Sequence, residues 1–173
     1  MKKYTQEEFD AIPVDGFGIK RCPTGDYTAI NRFDAVCSFG AGCSFGAHCS
    51  FGVVCNFGAG CSFGAGCSFG EVCSFGAGCS FGAGCSFGAH CSFGAHCICE
   101  FGQFVSMLSA GGFGSQGRTT YFFLLLDGRI CVRCGCFAGT LDDWAAQVKK
   151  IHGDSQNAQA YLLLIPAIKA QFE

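Results

Sequence analysis

Three cysteines and a histidine near the C-terminal end form the tightest group of potential metal ligands. The cysteines are Cys131, Cys134 and Cys136, and His152 could supply the fourth ligand that zinc normally takes. On a β-strand, side chains alternate between faces, so Cys134 and Cys136 would face one way and Cys131 the other. We therefore predict that these thiols pack structurally, with a zinc site as the alternative.

Three further histidines, His48, His90 and His96, each end a six-residue repeat. Histidine can act as a general base near neutral pH, so an enzyme must be considered. The three do not converge on one coil of the repeat, and no inserted loop, Lys or Trp accompanies them to hold a coenzyme. We expect solvated surface histidines, and the sequence predicts no catalytic residue and no cofactor.

A six-residue unit, Cys-Ser-Phe-Gly-Ala-Gly, must position the three repeat histidines. Ten units follow in register from Cys37, and an eleventh begins at Cys99. In an extended trimer the Cys and Phe point inward and the Ser outward, and the Gly at position four is expected to turn the chain with a positive φ. Buried free Cys behaves as a small apolar residue. The predicted stacked core includes Cys37, Phe39, Cys43, Phe45, Cys61, Phe63, Cys79 and Phe81.

This unit resembles the hexapeptide repeat of left-handed parallel β-helix proteins, in which a small residue, any residue, a bulky apolar residue and often Gly recur. The resemblance implies a triangular solenoid with eighteen-residue coils. Val36, Val54 and Val72 support that length because they are spaced by eighteen residues, and His90 continues the series. We expect this column to be covered by the C-terminal domain or by another subunit. Acyltransferases of this family use a corner histidine between the subunits of a trimer, which implies a trimeric acyltransferase-like enzyme as an alternative function.

The composition divides the chain into four segments. We predict an N-terminal cap over residues 1–24, the β-helix over 25–105, a glycine-rich linker over 106–118 and a C-terminal α+β domain over 119–173. The fold class is therefore mostly β, a solenoid followed by a small domain.

The C-terminal segment has the pattern of a hairpin and two helices. Asp127-Gly128 is a two-residue turn signal between the β-rich runs Thr119–Leu126 and Arg129–Cys136. A helix is expected to begin after Thr140, and a second one follows it. The apolar faces of these helices suggest docking on the solenoid or on a second copy. The candidate interface residues are Trp144, Tyr161, Leu164 and Ile168, together with Val36, Val54, Val72 and His90.

Charge argues against two classes of partner. The net charge is −2, and no Lys or Arg occurs between Cys37 and Gly102. Binding to nucleic acid needs basic groups, so we predict that the solenoid does not bind nucleic acid. No apolar run approaches the length of a membrane span, and the first residues lack the apolar core of a signal peptide. We predict no membrane contact and a cytoplasmic location.

A closer resemblance involves two further motifs. Tandem Cys-Ser-Phe-Gly units followed by Gly-Cys-Phe-Ala-Gly-Thr-Leu (135–141) and by His-Gly-Asp (152–154) look like uncharacterised bacteriophage and prophage proteins. The resemblance implies a phage or bacterial setting, and hence the cytosol of a bacterial host. We predict a non-catalytic interaction protein that binds a protein partner or self-associates as a dimer or trimer. A phage-encoded inhibitor or sequestering factor is the narrower hypothesis, and a structural component of a virion is a further alternative.

Overall fold

The hexapeptide repeats form three parallel sheets in the computed structural model, which describes residues 1–113 and 117–173. The chain divides into two units, Met1–Gln103 and Phe104–Glu173. The first unit begins with helix α1 (Gln6–Asp10), which opens with a capping box of Thr5 and Glu8. Its strands in chain order are β1 (Lys20–Cys22), β2 (Asp26–Tyr27), β3 (Arg32–Phe33), β4 (Cys37–Phe39), β5 (Ser44–Phe45), β6 (Ser50–Phe51), β7 (Asn56–Phe57), β8 (Ser62–Phe63), β9 (Ser68–Phe69), β10 (Ser74–Phe75), β11 (Ser80–Phe81), β12 (Ser86–Phe87), β13 (Ser92–Phe93) and β14 (Ile98–Cys99).

Every third strand pairs with the next one on the same side of a triangular solenoid. The three sheets have the orders β1-β4-β7-β10-β13, β2-β5-β8-β11-β14 and β3-β6-β9-β12, and all of these pairings are parallel. Paired residues such as Ser44 and Ser62 are one coil of eighteen residues apart. The predicted parallel β-solenoid and its coil length are confirmed, whereas its left-handed sense stays a prediction from the resemblance.

Phenylalanine rings fill the interior of the solenoid. Phe57 stacks on Phe39 and Phe75 of the neighbouring coils, with ring centroids 5.2 and 5.0 Å apart. It meets Phe63 of the next side edge-to-face, at 5.0 Å and 90°. Both geometries are favourable for aromatic rings. All eight predicted core-stacking residues are buried: Cys37, Phe39, Cys43, Phe45, Cys61, Phe63, Cys79 and Phe81.

The glycines at positions four and six of the repeat have different roles, and the prediction of a positive φ at position four is wrong. The positive φ lies at position six, as at Gly60 (φ 68°) and Gly78 (φ 69°). At position four the backbone of the preceding coil passes so close that a side chain has no room. A Cβ on Gly76 would lie 2.5 Å from the backbone nitrogen of Ala59. Glycine at position four is therefore required by close approach rather than by its dihedral angle.

The solenoid begins earlier than the predicted residue 25. Strand β1 lies inside the segment predicted as an N-terminal cap and pairs with β4, with Lys20 opposite Cys37. That offset is seventeen residues, one short of a regular coil, so the repeat pattern did not reveal it. Cys22, the last residue of β1, is buried in the solenoid.

The second unit contains an antiparallel sheet and two helices. Four strands follow one another in the sheet order β15-β16-β17-β18. Their bounds and those of the helices are β15 (Gly102–Phe113), β16 (Arg118–Leu125), β17 (Ile130–Cys134), β18 (Phe137–Thr140), α2 (Leu141–His152) and α3 (Gln156–Phe172). Strand β15 begins in the first unit, and β16 and β17 form the predicted hairpin.

Two features of this unit differ from the sequence interpretation. Residues 106–113 of the predicted linker belong to β15, and residues 114–116 lie outside the described residues. The glycine-rich composition suggested a loop, but pairing with the apolar strand β16 places these residues in a sheet. The unit therefore has four strands before its helices, where only two were expected.

The helices pack on the sheet through the residues that were proposed as an interface. Trp144, Tyr161 and Ile168 are buried in one core with Phe122 and Val132 of the sheet, and the half-buried Leu164 packs against it. These four apolar side chains are therefore parts of this unit's own core. Phe122 and Val132 come from the predicted hairpin, and the half-buried Leu108 of β15 and Phe137 of β18, two strands that were not predicted, pack against the same core.

Candidate binding surfaces

One corner of the solenoid carries exposed valines. It follows the strands β3, β6 and β9, and its side chains include Val53, Val54 and Val72, which are 45%, 40% and 49% exposed. Val36 lies in the same column and is half-buried, and His90 continues the column as an exposed residue. We call these five residues the valine corner. The column predicted from the eighteen-residue spacing is present, and Val53 extends it.

The backbone at the valine corner is strained. Val36, Val54 and Val72 have φ values of 57°, 58° and 60°, in the left-handed region that β-branched residues avoid. Position six at the other corners has the same conformation, but it is filled mostly by glycine, as at Gly60 and Gly78. Left-handed backbone costs a residue with a Cβ roughly 1–2 kcal/mol. The valine corner thus places apolar side chains where the fold would favour glycine.

The solenoid cysteines are directed inward and use their thiols within the core. The thiol of Cys61 donates to the carbonyl oxygen of Gly40 at 3.3 Å, and the thiol of Cys79 donates to the carbonyl oxygen of Gly58 at 3.4 Å. Thiols are weak donors, but such contacts are useful where no water is present. Contact with the Cys37 thiol raises the pKa of the Cys55 thiol to about 11, and burial adds to this shift. Contact with Cys55 raises the pKa of the Cys73 thiol to about 11 in the same way.

The three repeat histidines occupy three different corners. His48, His90 and His96 are all exposed and all have φ near 60° at position six of their units. His96 contacts the side chain of Gln103. The structure therefore does not bring these imidazoles together, and no pair of them forms an acid–base constellation.

The second unit contains a cavity of about 410 Å³ that gathers three of the four residues weighed as zinc ligands. Cys134, Cys136 and His152 line it, whereas Cys131 is buried elsewhere in the unit. The Cys134 thiol accepts a hydrogen bond from the Thr120 hydroxyl at 3.2 Å. Within residues 1–113 and 117–173, no group of three or more His, Cys, Asp or Glu side chains could hold a metal ion. Cys134 and His152 are half-buried at the cavity, and Cys136 is exposed.

Sequence reasoning missed Arg118 and the aromatic wall of the cavity. Arg118 was assigned to the linker, but it begins β16 and lines the cavity beside Tyr161. Burial raises the pKa of the Tyr161 hydroxyl, and the neighbouring Arg118 charge opposes that shift. No motif signals such a cavity, because its residues come from β16, β17, β18, α2 and α3 and meet only in the packed unit.

One family profile matches parts of the solenoid. Its description is an RNA-binding, Nab2-type zinc finger, and it matches residues 36–52, 54–70, 67–82, 73–88 and 84–98. The description is that of a binding module and names no reaction. No curated protein matches the chain, and neither does any solved structure.

The matched residues do not fit a zinc finger with three cysteines and one histidine. Successive cysteines such as Cys43, Cys49 and Cys55 lie on successive sides of the solenoid, buried inside it. The histidines project from its outer corners. Zinc needs four ligands around one point, and inward thiols and outward imidazoles cannot supply them. The match follows from the regular recurrence of Cys, Phe, Gly and His.

Among the residues that the structure describes, neither α2 nor α3 nor the short α1 has the length and apolar character needed to cross a membrane.

Proposed function

We propose that the chain is a non-catalytic interaction protein whose valine corner is a contact surface for another protein. The observation that carries this proposal is the exposure of Val54 and Val72 on strained left-handed backbone. Strain of this kind concentrates at functional sites.

The fold itself does not require these valines. The backbone N–H of Val54 donates to the backbone carbonyl oxygen of Glu71 at 2.9 Å, and the N–H of Gly60 donates to the carbonyl oxygen of Ala77 at 2.8 Å. The turn and its hydrogen bond are thus equivalent with either residue. Glycine would avoid the strain, so the valine side chains have a purpose other than folding. Removing such side chains from water on contact with a partner is favourable at about 25 cal/mol per Å².

The chemistry of the corner favours an apolar, uncharged contact. Glu71 precedes Val72, and Asp34 lies two residues before Val36 and pairs with the buried Lys20. No Lys or Arg occurs between Cys37 and Gly102. A nucleic acid partner finds no phosphate-binding groups there. A second copy of the chain or another protein fits this surface. The resemblance to phage proteins supports the narrower proposal that the partner belongs to a host system that the protein inhibits or sequesters.

Site-specific photo-crosslinking tests the proposal. A benzophenone amino acid replaces Val72 in the full chain, and the matched control carries it in place of Gly78, which has the same φ at another corner. We expect one discrete crosslinked product from position 72 in cells and little from position 78. The mass of the product distinguishes a second copy from a different protein. Equal products from both positions, or none from position 72, would refute the valine corner as a contact surface.

A further inference from the structure

The cavity of the second unit has the size and the rigid walls of a small-molecule site. Its volume of about 410 Å³ lies within the range of roughly 300–1,000 Å³ typical of ligand pockets. The Trp144 ring is held between Phe122 at 5.5 Å and Tyr161 at 5.6 Å, both edge-to-face. The His152 ring lies 6.0 Å from Tyr161. Of the residues that line the cavity, Trp144, Val148 and Tyr161 belong to the buried core of the unit.

The lining combines an apolar body with positive charge at one place. Phe137, Val148 and Ile151 provide apolar surface in addition to the aromatic rings. Arg118 supplies a permanent positive charge, and none of the described residues that line the cavity carries a carboxylate. A guanidinium binds carboxylates and similar anions through paired N–H donors.

The turn at the cavity rim accommodates the arginine. Gly135 has a φ of 58°, and a Cβ at this position would meet the guanidinium of Arg118. Glycine therefore allows the arginine side chain to lie across the turn between β17 and β18. This turn also carries Cys136, so the charged group and the two cavity thiols are on the same side of the unit.

We infer that this cavity binds a small aromatic or aliphatic carboxylate, with its apolar body against Trp144 and Tyr161 and its carboxylate on Arg118. Neutral ligands of the same shape lack the charge-assisted hydrogen bonds and bind more weakly. This site belongs to the second unit and does not depend on the function proposed for the valine corner.

The test uses 4-phenylbutanoate as the probe and 4-phenylbutan-1-ol as its uncharged counterpart. Trp144 is the single tryptophan of the chain, so its fluorescence reports on the cavity in the intact protein. We expect a saturable change with the acid, and binding of the alcohol about tenfold weaker or more. Arg118→Gln should reduce binding of the acid to the level of the alcohol.

A second pair of variants keeps the test decisive if Arg118→Gln does not fold. Ile151 lines the cavity and Leu163 does not, and they are 63% and 73% exposed on helices of the same unit. Ile151→Glu should weaken binding of the acid about tenfold by charge repulsion, and Leu163→Glu should leave it unchanged within about twofold. The inference is overturned if neither probe saturates by about 10 mM, if acid and alcohol bind equally, or if both Glu variants have the same effect.

Discussion

Replacing Gly76 by alanine should destabilise the solenoid far more than replacing Gly78, although both glycines belong to one turn. At Gly78 the added Cβ meets no atom within 4 Å, so only the positive φ of 69° opposes the substitution. That strain costs roughly 1–2 kcal/mol. The reduced freedom of the unfolded chain returns about 0.4–1 kcal/mol. The net loss in the free energy of unfolding is about 1 kcal/mol.

At Gly76 the obstacle is backbone. The new Cβ would lie 2.5 Å from the nitrogen and 2.8 Å from the Cα of Ala59, where non-bonded carbon atoms prefer about 3.5–4.0 Å. The two coils must separate locally, which stretches the 2.8 Å hydrogen bond from the Gly76 nitrogen to the Phe57 oxygen. A compromised buried hydrogen bond costs about 1–3 kcal/mol, and disturbed packing costs a similar amount. We expect a total loss of about 3 kcal/mol or more.

Urea unfolding followed by circular dichroism measures both losses, since unfolding of the solenoid removes the signal of its strands β1–β14. The two variants differ from the parent by one methyl group each and from one another only in position. Equal losses, or a larger loss for Gly78→Ala, would refute the conclusion that close approach of the coils selects glycine at position four.

Three further predictions concern the core and the valine corner. Phe69→Asp places an unpaired carboxylate between stacked rings at 4.9 and 5.2 Å, so the variant should be insoluble, whereas Ser68→Asp on the outer face should remain soluble in a fractionated lysate. The pKa values of the Cys55 and Cys73 thiols are raised to about 11 in the folded state, compared with about 8.5 in the unfolded chain. The stability that these two thiols contribute is therefore complete below a pH of about 8.5 and is lost as the pH rises through about 11. Each thiol removes about 1.4 kcal/mol per pH unit in that window, and denaturant titrations at pH 7, 9 and 10.5 should show stability falling only at the alkaline end. Val72→Gly should leave the free energy of unfolding within about 1 kcal/mol of the parent, because relief of backbone strain offsets the added freedom of the unfolded chain. A much larger loss would show that the Val72 side chain stabilises the fold and would contradict its assignment to a contact surface.

The repeat was sufficient to predict the solenoid but not its limits. The Cys and Phe of the repeats from Cys37 to Phe87 follow one period, and their burial, their stacking and the eighteen-residue coil all result from that period. Strand β1 has neither the repeat residues nor the regular offset, and only its pairing with β4 places it in the first coil.

The candidate surfaces were predictable to different degrees. The valine corner follows from counting eighteen residues along the sequence, and only the backbone dihedrals show that it is strained. The cavity was not predictable. Cys134, Cys136 and His152 had been considered as metal ligands, but Arg118 and Tyr161 have no sequence relation to them.

The sequence by itself determined which side chains face inward along the solenoid, because a period of six residues leaves each extended trimer only one way to bury Cys and Phe together. Tertiary structure alone decided why each glycine is required, since the same residue serves close approach at Gly76 and a left-handed turn at Gly78. It also decided that the glycine-rich residues 106–113 form a strand, and that the apolar faces of α2 and α3 pack against the sheet of their own unit. Those outcomes depend on contacts between residues that are distant in the chain, and a local sequence pattern does not predict such contacts.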